Sequence, residues 1–132
     1  MPVTVSTCVL DGTPSAPHAC RAFVSTALAA HPRLDDLALI ASELVANSVR
    51  HSFSRLPGGR VSVRVIEGAG CDGTAFAGVK VTDDGSSTRP LVRRRVELSE
   101  SGYGLALVAA LADRWGHYSV DNKRTVWAAV RT

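Results

Sequence analysis

In the segment ELVANSVRH, Glu43, Asn47 and His51 recur every four residues. On an α-helix that spacing stacks side chains in a slanted line, each over the turn before it. The residues between them are largely apolar, and a helix built only for burial gains nothing from such a line. A carboxylate and a carboxamide oxygen one turn apart are hard ligands of the kind that hold Mg²⁺ together with phosphate oxygens and water. A carboxylate beside such an ion can also orient or deprotonate an attacking hydroxyl or water. Asn47 is a poor residue for the middle of a helix, which favours a functional stripe over a merely solvated one. His51 either contacts the same site or is a satisfied structural histidine.

Two other stretches carry chemistry. VKVTDDGSS reads as a strand that stops at Asp83-Asp84-Gly85, with the glycine permitting a tight turn. A carboxylate at a strand end can accept a hydrogen bond from an exocyclic amine such as that of adenine. Asp-Gly turns are common, so this tripeptide alone says little. ESGYGLALV sets Gly102 and Gly104 at the start of an apolar helix, behind Glu100 and Ser101. Free N–H groups and a partial positive charge at a helix start suit a phosphate, and glycines let it come close. A plain flexible helix start has the same sequence.

The elements that must position these groups follow from periodicity. VTVSTCVL alternates and is β-branched, an opening strand. ACRAFVSTALAAH is helical, with Ala19, Phe23, Ala27 and Ala30 in phase and Pro32 closing it. RLDDLALIASELVANSVRHSF is a second helix, capped by Asp35 or Asp36, with Leu37, Ile40, Leu44 and Val45 on its apolar face. RVSVRVIE is a strand with Val61, Val63 and Val65 facing one way. TAFAGVKVTDDG runs as the next strand, GYGLALVAALADRWG as a third helix, and HYSVDNKRTVWAAVRT as a closing hairpin. Consecutive strands with short turns pair antiparallel. Helices covering one face of that sheet make an α+β, two-layer α/β sandwich, with about five strands in a mainly antiparallel sheet.

The 132 residues are expected to form one domain, 1–132, with 45% hydrophobic and 20% charged residues and an aliphatic core, since aromatics are only 5%. Cys8, Cys20 and Cys71 lack metal-ligand spacing and read as free thiols in a reducing compartment. No stretch approaches a membrane span of about 20 apolar residues, and no leader is evident, so a cytoplasmic location is expected. A net charge of +3, a pI near 9.1 and the run RPLVRRR argue weakly for nucleic acid. No aromatic residues interleave that run and no reading helix is evident, so no direct nucleic-acid contact is expected.

The chain order of the three motifs is more specific than any of them. A polar ExxxN stripe on a helix, a strand ending DxG, then GxGL opening a helix resembles the boxes of the GHKL ATPase superfamily of gyrase, heat-shock chaperone, histidine kinase and MutL ATP-binding domains. ELVANSVRH, ESGYGLALVAALADRWG and the closing RTVWAAV look most like its small anti-sigma-factor serine kinases, and the likeness spans essentially the whole chain. It implies a Bergerat-type ATP-binding fold with ATP and Mg²⁺ as cofactors. By that likeness Asn47 ligates Mg²⁺ and Glu43 is the general base. Asp83 accepts the adenine amine, Gly85 makes room for the base, and Thr125 supports the same end. Gly102, Gly104 and Leu105 shape the phosphate side with backbone N–H donors. Ser87 stands where the family has a second glycine, and Arg89, Arg93, Arg94 and Arg95 lie where a glycine-rich lid would be.

The implied function is an ATP-dependent protein serine kinase, a transferase that phosphorylates an anti-anti-sigma partner and regulates a sigma factor. The alternative is a non-catalytic module in which ATP or ADP gates a protein contact, a reading Ser87 keeps open. A hydrophobic seam along the opening strand and first helix suits a homodimer.

Overall fold

The computed structural model describes residues 3–85 and 102–132, with side chains from Leu105 onward in the second stretch. Strand β1 (Thr4–Asp11) leads to helices α1 (Ala16–Ala27) and α2 (Leu34–His51) and a 3-10 turn (Phe53–Arg55). Strands β2 (Arg60–Ala69) and β3 (Ala75–Asp83), helix α3 (Gly102–Leu111), and strands β4 (Arg114–Val120) and β5 (Lys123–Arg131) follow. The strands form one sheet in the order β1-β2-β3-β5-β4, and every described pairing is antiparallel. This is the α+β two-layer sandwich that the alternating strands imply.

Alternation decides which face is covered. Val61, Val63 and Val65 of β2, Ala77, Val79 and Val81 of β3, and Val126, Ala128 and Val130 of β5 all turn inward. They meet Leu37, Ile40, Ala41, Leu44 and Val45 of α2, Cys20 and Val24 of α1, and Val108 of α3 in one aliphatic cluster. Among the described residues the other face of the sheet carries no helix, and Val5, Val9 and Tyr118 are exposed there.

Several boundaries differ from the sequence reading: α1 runs Ala16–Ala27, ending before Pro32, and the start of α2 and the end of α3 move for identifiable reasons. Arg33, not Asp35 or Asp36, is the N-cap of α2, and no side chain caps the helix. Asp35 and Asp36 sit in its first turn, where their charge complements the helix dipole. Arg33 Nε donates to Asp36 Oδ2 at 2.9 Å, which holds that turn. Helix α3 stops at Leu111 rather than running to Gly116. Asp113 N–H goes to Ala129 O at 3.0 Å and Trp115 pairs with Ala128, so the sheet takes over the backbone there. The β4–β5 turn is Asp121-Asn122, both left-handed at φ 52° and 67°, as a tight two-residue hairpin requires.

Cys8, Cys20 and Cys71 are free thiols in very different surroundings. Burial, reinforced by nearby Cys8 and opposed by Arg21, pushes the Cys20 thiol up to about 12, whereas Cys71 is exposed. Because the thiolate is the reactive form, a thiol reagent at neutral pH should modify Cys71 promptly and Cys20 only after unfolding. Peptide mass spectrometry checks this, and prompt native labelling of Cys20 would contradict its placement.

Candidate functional site

Helix α2 brings the polar stripe to the edge of its buried face. Asn47 is 8% exposed and flanks Leu44 and Ser48, Glu43 is half-buried, and His51 is exposed in the last turn. The carboxamide is held, not loose: Asn47 Oδ1 accepts from Arg50 Nη2 at 3.2 Å, across an i,i+3 step. Arg50 itself is exposed, so a rotamer change releases the oxygen at little cost.

Asp83 ends β3 on the inner face of the sheet and is 2% exposed. Its Oδ1 accepts from the Gly85 N–H at 2.8 Å. Its Oδ2 accepts from Arg124 Nη2 at 3.1 Å, the residue directly opposite in the β3–β5 register. A carboxylate this deep needs such partners, because an uncompensated buried charge is costly.

The turn after Asp83 is fixed from three sides. Gly85 adopts φ 74°, and a Cβ there would lie 1.9 Å from the Asn122 carbonyl oxygen. The missing side chain clears the carbonyl of the β4–β5 hairpin. Phe53 N–H donates to Gly85 O at 2.7 Å. Buried Ser54 accepts from Asp84 N–H at 2.9 Å and donates to Arg60 O at 2.6 Å. The 3-10 turn behind α2 thus ties the acid's turn to the start of β2. At Asp84, burial favours the neutral acid, but the Lys123 ammonium, the Arg60 N–H and Ser54 outweigh it and hold the carboxyl below its ordinary range.

Helix α2 contacts both β3 and α3. It links the strand that ends in Asp83 to the helix whose first turn holds Gly102, Gly104 and Leu105. The first backbone N–H groups of α3 have no intrahelical acceptor, and the Leu105 side chain anchors that turn in the core at 6% exposed.

Thr125 does not join this group. Successive strand residues face opposite ways, so with Arg124 inward Thr125 points to the uncovered face, where its Oγ1 lies 2.7 Å from Thr82 Oγ1. Arg124, rather than Thr125, is the β5 residue that stands beside Asp83. Sequence reasoning had not singled out Arg124, Arg50 or Ser54. Arg50 was legible as an i+3 neighbour of Asn47, whereas Arg124 and Ser54 needed the sheet register and the turn. Ser87, Arg89, Arg93, Arg94, Arg95, Glu100 and Ser101 lie outside the described residues.

The residues present fit an adenine nucleotide with Mg²⁺ in their chemistry. A buried carboxylate offers an acceptor to an exocyclic amine, a carboxamide oxygen offers a hard ligand, and a helix start offers N–H donors. Among the described residues no cluster of three or more His, Cys, Asp or Glu could hold a metal ion. An ion at Asn47 would therefore share its coordination with phosphate and water. A separate cavity of about 490 Å³, lined by Thr4, His31, Glu67, Phe76 and Thr132, opens at the far end of β3 from Asp83.

The family model of the histidine kinase-like ATPase domain matches residues 10–130. Among solved structures, the RsbU and RsbW domains of Rv1364c from Mycobacterium tuberculosis are similar, at 22% identity and a TM-score of 0.66. That match covers 97% of this chain and 32% of the other, so this chain spans about a third of it. No curated protein matches. Among the described residues no helix is long and apolar enough to cross a membrane.

Proposed function

The chain belongs to the histidine kinase-like ATPase family, and from that premise we propose that it is an ATP- and Mg²⁺-binding regulator of the anti-sigma type that phosphorylates a serine of an anti-anti-sigma partner. The observation that carries the reading is the placement of Glu43 and Asn47 on one side of α2, a helix that contacts the strand ending in buried Asp83. The similarity to a structure containing an RsbW domain supports the anti-sigma setting.

Each residue has a separate task. Asp83 holds the base through its exocyclic amine, and Asn47 fixes the cation. The start of α3, with Gly102, Gly104 and Leu105, offers N–H groups to the phosphates. Bound ATP and Mg²⁺ supply the γ-phosphoryl group and the charge neutralisation that dominate phosphoryl transfer. Glu43, half-buried and so within reach of a partner, accepts the proton of the attacking serine hydroxyl. The family match over residues 10–130 supports reading the chain as one domain. Val5 and Val9, exposed on edge strand β1, with exposed Val3 just before it, support a homodimer through that seam.

Labelled ATP incubated with the protein and a candidate partner tests the assignment. Label should pass to a partner serine, and Glu43→Ala should cut the rate at least about a hundredfold while ATP still binds. Nucleotide binding with no transfer to any partner would instead favour the nucleotide-gated module.

A further inference from the structure

We propose that the uncovered face of the sheet binds single-stranded nucleic acid, with a base stacked on Trp127 and phosphates held by Arg64 and Lys80. This is a second site, independent of the nucleotide reading above, on the face of the sheet opposite Asp83.

The strand register assembles it. Thr7, Arg64, Lys80, Trp127 and Gly116 form one row across the five strands. The row faces away from the core, because the residues flanking it in β2, β3 and β5 are buried. Exposed Arg64 stands directly opposite half-buried Lys80. Like charges in that relation destabilise a strand pair. Among the described residues neither joins an ion pair with a carboxylate. Exposed Arg114 adds a third positive charge on the same face, opposite Ala129. An anionic ligand supplies the counter-charge that the row lacks.

The ring beside these cations favours nucleic acid over an acidic polypeptide. A Cβ on Gly116 would meet Trp127 Cε2, Cζ2 and Nε1, each at 3.0 Å. A point equally far from three ring atoms at that distance lies over the ring, so the indole rests flat on the glycine. Trp127 is only half-buried, which leaves its other face for a base. Lys80 Nζ donates to Tyr118 Oη at 3.4 Å and lies 5.7 Å from that ring's centroid, so its ammonium leans over β5 toward the indole's side of the sheet. Strands are about 5 Å apart, so Lys80 and Arg64 stand about 5 and 10 Å from the stacking ring, the reach of adjacent phosphates. An acidic peptide answers the charges but has no flat group to lay on the indole. A duplex keeps its base faces stacked inside, whereas a single strand can present them. The sequence reading expects no nucleic-acid contact because no aromatic interleaves RPLVRRR; the sheet instead brings an aromatic to cations from other strands.

The test is fluorescence anisotropy of the full chain with a labelled oligothymidylate of about ten nucleotides, titrated at several salt concentrations. Wild type should bind it more tightly than a duplex of the same length and more tightly than polyglutamate. The double variant Arg64→Gln, Lys80→Gln should bind at least about tenfold more weakly. Its log–log salt slope should shrink by about 1.4, at about 0.7 for each lost phosphate contact. Its melting temperature should hold or rise, since the opposed charges are gone, so lost binding is not lost fold. Trp127→Leu should lose about tenfold in affinity with the salt slope kept. Absent binding at low salt, equal binding to duplex or polyglutamate, or full affinity in the double variant or in folded Trp127→Leu overturns the proposal. If Trp127→Leu does not fold, the double variant and the polyglutamate comparison decide. ATP titration of the same proteins judges the nucleotide site separately.

Discussion

An Asp83→Asn protein should melt about 10 °C below wild type and bind ATP at least about tenfold more weakly, with or without Mg²⁺. The asparagine keeps an oxygen for the Gly85 N–H, so the turn survives, but the charge facing Arg124 at 3.1 Å is lost. Removing one side of a buried ion pair costs about 3 kcal/mol, and in a domain of this size each kcal/mol moves the midpoint by about 3–4 °C. The affinity loss has a different origin, since a neutral amide accepts more weakly from an exocyclic amine than a carboxylate does. Asn47→Ala supplies the contrast: its loss of ATP affinity should appear only with Mg²⁺ present. Thermal melts and titrations in magnesium and in chelator separate the two. A Mg²⁺-dependent loss in Asp83→Asn, or a Mg²⁺-independent one in Asn47→Ala, would reverse the roles given to the two ends of the site.

Gly85→Ala should be nearly as damaging, on the order of 3 kcal/mol, for reasons of backbone rather than charge. A φ of 74° already costs an L-residue about 1 kcal/mol. The added Cβ would also lie 1.9 Å from Asn122 O, a backbone atom in a tight hairpin that cannot step aside like a side chain. Gly58 is the internal control. Its φ is 82° but nothing lies within 4 Å of where a Cβ would be, so Gly58→Ala should lose only about 1 kcal/mol. Chemical denaturation of both variants measures the difference, and equal losses would mean that the hairpin does not press on the Gly85 turn.

Local physics made much of the molecule legible before its coordinates. Val61, Val63 and Val65 had to face a core because alternation leaves them no other arrangement. Leu37, Ile40, Leu44 and Val45 had to line one side of a helix for the same kind of reason, and both groups are buried. The oddity of Asn47 was legible as well, because an amide in mid-helix is a poor choice unless something nearby uses it, whereas an acid before a glycine turn is common and says little alone. The end of α3 was not legible, because a run with good helical pattern yields where β5 offers its backbone a partner.

Sequence alone determined the residue types, their periodicity and their order along the chain, because those depend on neighbours within a turn or a pleat. Tertiary structure decided which side chain meets which across the sheet. A shift of one position in the β3–β5 register exchanges the inner and outer faces, so Arg124 rather than Thr125 stands against Asp83. It likewise fixed what Gly85 accommodates, since the Asn122 carbonyl approaches from a hairpin 37 residues further along the chain (122 minus 85). No spacing rule reaches across that distance; only the folded sheet does.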